Sequence, residues 1–188
     1  VLLVAKFIAY YLTHSVSILT DALESIVNVV AGFIGLYSLY VAAKPRDLDH
    51  PYGHGKAEFI SAAVEGTLVL SAGILIIYNA GRNLINPVTL HELTTGIYLV
   101  AAAGIVNWIL GELSLRLGRK NGSMALVASG KHLQTDTYST LAIIAGLFLV
   151  KFTQKAWIDS VVAMGFGLFI IYTGYRILRV SLAGIMDA

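Results

Sequence analysis

Hydrophobic residues run through the chain in six blocks, covering residues 1–12, 16–43, 58–84, 94–117, 124–153 and 158–180, with short polar breaks between them. A helix that crosses the hydrocarbon core of a bilayer needs about 20 mainly apolar residues. Five of the blocks meet that length and the first falls short. The blocks do not alternate polar with apolar at every second position, so they read as helices rather than as strands of a membrane barrel. The pattern predicts an all-α membrane protein, a six-helix transmembrane bundle with a truncated first helix. Breaks at Thr13-His14-Ser15 and at residues 154–157 are so short that the helices they join must be antiparallel. Asn86-Pro87 ends the third span, because proline lacks an N–H and restricts the residue before it. Residues 118–122 read as a loop, which takes the strict Gly118-x-x-x-Gly122 pattern out of consideration as a helix-pairing motif. The chain opens with Val1 inside an apolar run that has neither a basic leader nor a small-residue cleavage site. The expectation is therefore a transmembrane domain over residues 1–188, cut at both ends.

Composition narrows the class further. Hydrophobic residues make up 57% of the 188 and charged residues only 13%, with a mean hydropathy of +0.76. A soluble domain carries about 25% charged residues, so an ordinary soluble protein is excluded, and so is a disordered chain. A net charge of +2, with no basic run longer than two residues, excludes nucleic acid as a partner. There is no cysteine, so any metal must be held by Asp, Glu, His, Asn or backbone oxygen. Lys44, Arg46, Lys56, Arg116, Arg119, Lys120, Arg176 and Arg179 fall on one side of the spans, against Arg82, Lys151 and Lys155 on the other. The positive-inside rule puts the larger group, and with it both chain ends, in the cytoplasm of a bacterial-type inner or plasma membrane.

Several polar residues sit where an apolar one belongs. Asp21, Glu24 and Asn28 share one face of the second span, and His132 and Asp136 share one face of the fifth. An ionisable residue at the bilayer centre costs several kcal/mol on insertion scales. The simplest compensation is that the two pairs face each other. Glu24, Asn28, His132 and Asp136 offer three oxygens and one imidazole nitrogen, which suits a tetrahedral divalent cation or a harder ion such as Mn²⁺ or Fe²⁺. A proton relay, or a hydrogen-bond network between helices, fits the same spacing. Asp21, one turn before Glu24, reads as a partner of a ligand, as an alternative ligand, or as a helix-start acid near a water-filled cavity. Lys131 points to another face than His132, and Lys6 lies in the first span. Glu65 and Glu112 read as helix-contact or cavity residues, and His14 and His91 as solvated loop histidines.

The longest polar stretch, residues 44–56, holds Asp47, Asp49, His50 and His54 within eight positions. Such a cluster either binds a divalent ion or is a polar loop at the membrane surface. No His-Glu-x-x-His, Gly-x-Ser-x-Gly or Walker loop occurs, which leaves no support for an ATP-driven pump or a soluble-type hydrolase.

Taken together, the stretch from His14 to Asn28 (His-Ser-Val-Ser-Ile-Leu-Thr-Asp-Ala-Leu-Glu-Ser-Ile-Val-Asn), His50-Pro-Tyr-Gly-His-Gly-Lys-Ala-Glu58 and His132-x-x-x-Asp136 resemble the cation diffusion facilitators, over nearly the whole chain. The resemblance implies a homodimeric exporter whose cytoplasmic C-terminal domain is absent from this chain. It implies a transport site built from two residues four apart on the second helix and two four apart on the fifth, here Glu24, Asn28, His132 and Asp136. The second-helix pair differs from the family's usual Asp-x-x-x-Asp or His-x-x-x-Asp. The resemblance also implies a loop-borne metal site at Asp47, His50 and His54.

The reading that follows is a divalent-metal/proton antiporter that exports metal from the cytoplasm by alternating access. Zinc comes first, with iron, manganese and cobalt as alternatives. Its partners are the metal ion, protons, the lipid bilayer and a second copy of the chain, with no resident cofactor and no enzymatic reaction. A passive cation channel and an intramembrane metalloenzyme are the rival readings.

Overall fold

The computed structural model describes residues 2–44, 56–122 and 124–186. Among them are six helices and no strand: α1 (Leu2–Thr13), α2 (Val16–Ala42), α3 (Lys56–Ile85), α4 (Leu93–Lys120), α5 (Met124–Thr153) and α6 (Trp157–Met186). All but α1 are long and apolar enough to cross a membrane. Two helices run furthest past their apolar blocks. α4 continues to Lys120, so Gly118 is a buried helical residue, and only Gly122, at φ 65°, stands in the turn beyond. α6 runs past Val180 to Met186, and of its last residues Ser181 is buried while Leu182 and Met186 stay exposed. There the Ser181 hydroxyl donates to the Ile177 carbonyl at 2.8 Å and Gly184 lies against the Phe59 ring.

The chain divides into two compact units. The first contains residues 1–22 and 80–163: α1, the start of α2, the end of α3, α4, α5 and the start of α6. Its core includes Ala9, Ile18, Val100, Ile143 and Leu147, all essentially inaccessible. α4 and α5 approach closely at glycines. A Cβ on Gly130 would lie 2.7 Å from the Gly111 carbonyl oxygen and 2.9 Å from the Leu115 nitrogen. Backbones can touch in this way only where neither helix carries a side chain, which is how helices pack when lipid supplies no hydrophobic drive between them.

Polar groups at the α1–α2 turn hold the first unit together at one end. His14 takes the left-handed conformation (φ 55°), and its N–H donates to the Tyr10 carbonyl at 2.7 Å, closing α1. Ser15 then caps α2, its hydroxyl oxygen accepting from the Ile18 N–H at 3.2 Å. The first N–H groups of a helix have no partner within it, and here an acid from the start of α6 supplies one. The Asp159 carboxylate accepts from the Val16 N–H and the Ser15 hydroxyl, each at 2.7 Å, while the Ser17 hydroxyl donates to the Asp159 carbonyl at 2.9 Å. A negative charge in this position is also favoured by the α2 dipole.

The second unit contains residues 23–79 and 164–188: the rest of α2, most of α3 and the bulk of α6. Gly66 and Gly73 of α3 meet Gly174 and Gly167 of α6, one glycine to one glycine. A Cβ on Gly66 would sit 3.2 Å from the Gly174 carbonyl oxygen, and one on Gly174 would sit 3.1 Å from that of Gly66. Large apolar side chains such as Phe33, Leu36 and Tyr37 of α2 stay exposed, a surface suited to hydrocarbon rather than water.

Asp159→Ala should strand the buried donors of Ser15 and Val16. We expect it to lower stability by about 1–3 kcal/mol, read as a drop in melting temperature of the purified protein in detergent, whereas Asp159→Asn should recover part of the loss.

Candidate metal site

α5 contributes the clearest part of the candidate site. His132 and Asp136 lie one turn apart, with His132 Nε2 3.9 Å from Asp136 Oδ2. That separation is too long for a hydrogen bond. The Asp136 residue is 8% exposed while the His132 ring is open, so the acid is held in place and the imidazole is accessible. The Thr140 hydroxyl donates to the Asp136 carbonyl at 2.9 Å and the Thr137 hydroxyl to the Leu133 carbonyl at 2.9 Å. These hydroxyls satisfy themselves on their own helix, as polar groups in hydrocarbon must.

Asp21 in the first turns of α2 is tied to α1. Lys6 Nζ lies 2.8 Å from Asp21 Oδ1, and the two side chains are only 2% and 3% exposed. The Lys6 charge acts on Asp136 as well, and the Asp136 charge acts on Asp21. The first unit therefore gathers an ammonium, two carboxylates and an imidazole from α1, α2 and α5.

Glu24 and Asn28 belong to the second unit, where both are half-buried and one turn apart on α2. Asn28 borders a shallow groove along its own helix whose floor includes Gly32 and Gly35. Among the described residues, no group of three or more His, Asp or Glu side chains could hold a metal ion. The loop residues Asp47, His50 and His54 lie outside the described residues.

The remaining polar residues have local roles. Glu112 accepts from Arg116 Nε at 2.7 Å and from Gln134 of α5 at 3.3 Å, a contact between helices as its position implied. Lys131 is exposed and Glu65 half-buried. The His14 and His91 rings, both exposed, meet edge to face at 6.2 Å. Two residues went unremarked in the sequence as parts of a polar cluster. The signal for Lys6 was a cation inside an apolar run, which demands an acid partner. Asp159 stood in the first turn of a helix and gave no hint of capping another one.

The ion pair and the histidine should respond differently to truncation. Asp21→Ala removes the anion that the buried Lys6 ammonium meets at 2.8 Å, and we expect a loss of about 3–5 kcal/mol. His132→Ala removes an exposed ring and should change stability by less than about 1 kcal/mol. Thermal unfolding of the two variants in detergent measures both.

Comparison with known proteins shows the family. Residues 1–186 match the model of the cation efflux transmembrane domain. The chain is 36% identical over 182 residues to the "uncharacterized transporter sll1263" of Synechocystis sp., covering 97% of this chain and 59% of that protein. It is 28% identical over 187 residues to the manganese efflux system protein MneS of Bacillus subtilis, covering 100% of this chain and 64% of the relative. It is 28% identical over 187 residues to the metal cation efflux system protein CzcD of Cupriavidus metallidurans, covering 98% and 58%. The chain thus spans under two thirds of the length of each of these relatives. A family of transmembrane domains and five helices of spanning length make this a multi-pass integral membrane protein. The chain belongs to the cation efflux family, whose members are the cation diffusion facilitators that its motifs resemble.

Proposed function

We propose that the protein exports a divalent transition-metal cation from the cytoplasm in exchange for protons. Glu24 and Asn28 of α2, with His132 and Asp136 of α5, are the residues that hold the ion in transit. The observation that carries the reading is Asp136, a buried acid in the middle of an apolar helix, with an accessible imidazole one turn away. Two of the similar proteins are named for the efflux of manganese or of metal cations, which supports a metal ion as the cargo.

Proton exchange follows from the chemistry of the donors. An imidazole binds a metal through a neutral nitrogen, and carboxylates bind it ionised, so metal entry releases protons and returning protons expel the metal. Alternating access around this set would carry metal outward and protons inward. Both chain ends lie in the cytoplasm on this reading, two copies form the working unit, and Asp47, His50 and His54 form a weaker loop site exposed to competing water. Because the ion crosses with no covalent bond made or broken, the protein is a transporter and not an enzyme.

Asp136→Ala should fold yet reduce metal uptake into proteoliposomes to background, because it removes an anionic oxygen where charge is least screened. Uptake near the wild-type level by a folded variant would remove Asp136 from the site. An internal pH dye in the same vesicles separates antiport from a passive channel, which would move metal without a proton signal.

Asn28 bears on which metal is moved. With Glu24 and Asp136 ionised and His132 neutral, the donors carry a charge of about −2, matching one divalent ion where unpaired charge is costly. Amide and carboxylate oxygens favour harder ions than imidazole does, so Fe²⁺, Mn²⁺ and Co²⁺ should be admitted beside Zn²⁺. Asn28→Asp should shift that preference and raise the protons exchanged per ion. Parallel uptake of the four metals with recorded proton flux is the measurement, and identical profiles would show that Asn28 does not touch the ion.

A further inference from the structure

α3 and α6 of the second unit touch at their glycines, and near the Gly66–Gly174 contact they leave a groove of about 510 Å³. Ala62 of α3 and Phe169, Ile177 and Val180 of α6 supply its apolar walls. Four polar side chains of α6 border it as well. Two of them turn their hydrogens to their own helix. Thr173 Oγ1 donates to the Phe169 carbonyl at 3.0 Å, and Ser181 Oγ to the Ile177 carbonyl at 2.8 Å. The other two, Tyr172 and Arg176, stand one turn apart and exposed, and they make no hydrogen bond or ion pair among the described residues.

Depth decides what such a pair can meet. The exposed Trp157 opens α6, and tryptophan favours the interface of a bilayer. Tyr172 and Arg176 follow it by 15 and 19 residues, about 22 and 28 Å along the axis of an α-helix. The hydrocarbon core is about 30 Å thick, so phenol and guanidinium reach the opposite interface, with the exposed Tyr175 and Arg179 beside them. Phe169, nearly two turns before Arg176, lies within the core. The groove therefore runs from hydrocarbon out to headgroup level, with a cation at the boundary.

We propose that this groove binds an anionic phospholipid, its phosphate on Arg176 and Tyr172 and an acyl chain against Phe169 and Ile177. A guanidinium has five donors and no acceptor, so its complement is an anion, and its planar fork matches the oxygens of a phosphate. Basic pockets between membrane helices take anionic headgroups in this way. The inference uses none of the proposed metal donors and stands apart from the transport reading.

Native mass spectrometry of the full chain in detergent reads bound lipid and oligomeric state together. Delipidated protein is titrated with phosphatidylglycerol and with phosphatidylcholine of the same acyl chains. Wild type should prefer phosphatidylglycerol by about fivefold, the effect of one basic residue at an anionic membrane surface. Arg176→Gln should bring the two affinities within about twofold of each other. Arg179→Gln, which changes an arginine outside the groove, should keep the wild-type preference. Ala62→Trp fills the groove and should cut the binding of both lipids. Millimolar inorganic phosphate should leave the bound lipid in place.

Equal binding of the two lipids by wild type overturns the proposal, and so does an undiminished preference in Arg176→Gln. Equal losses of preference in Arg176→Gln and Arg179→Gln assign the effect to surface charge at large and overturn it too. Displacement of the lipid by inorganic phosphate would leave an anion site with no part for the acyl chain, against the proposal. If Ala62→Trp turns dimers into monomers and leaves lipid binding intact, the groove is an interface between copies and the proposal fails. Arg176 is exposed and unpaired among the described residues, so Arg176→Gln keeps the fold and decides the matter even where Ala62→Trp does not pack.

Discussion

Inside a bilayer a polar group finds its partner within the protein or goes without, because hydrocarbon offers none. The arrangement of polar atoms in this chain follows from that constraint. Hydroxyls along α5 turn back to carbonyls one turn earlier. The opening N–H groups of α2 find the Asp159 carboxylate. The one cation within α1, Lys6, finds Asp21. Each of these contacts joins two helices or fixes a side chain on its own helix, so satisfying the polar groups also organises the first unit.

The same constraint explains why ionisable residues here invite a functional reading. A buried pair such as Lys6 and Asp21 gains little stability over well-packed apolar residues of the same volume, since desolvation offsets the attraction. A carboxylate beside an accessible imidazole, as at Asp136 and His132, gains less still from its neighbour at 3.9 Å. Apolar side chains would serve the fold as well at these places. Asp21 receives the Lys6 charge, and on the proposed reading Asp136 receives the ion in transit.

Much of the architecture was legible in the sequence, because hydrophobic run length is read directly by the membrane. The six helices and their order, and the antiparallel turns at Thr13-His14-Ser15 and before Trp157, follow from run length and loop length alone. Helix ends were less legible. α6 passes Val180 to a point where Gly184 lies against the Phe59 ring, a tertiary contact that no local pattern records, and α4 carries a buried Gly118 inside its last turn. The pairing of His132 with Asp136 could be read from a spacing of four. The pairing of Lys6 with Asp21, and the capping of α2 by Asp159, could not, because each joins positions whose relation is set by packing. Glu24 and Asn28 were read by the same spacing rule as His132 and Asp136, and they stand half-buried one turn apart on α2.

The glycines of α3 and α6 set an index as well as a distance. Gly66 meets Gly174 and Gly73 meets Gly167, so the pairs repeat along both helices with a period of seven residues, or about 10.5 Å of helix axis. Sliding one helix by a single turn would set each glycine's flat backbone against the branched side chains of Leu70, Ile77, Ile171 or Ile177. Contact recurs only after a whole repeat, and then at one pair instead of two. The interface behaves as a keyed joint: it resists axial creep between α3 and α6, and any rearrangement of the second unit carries these two helices together.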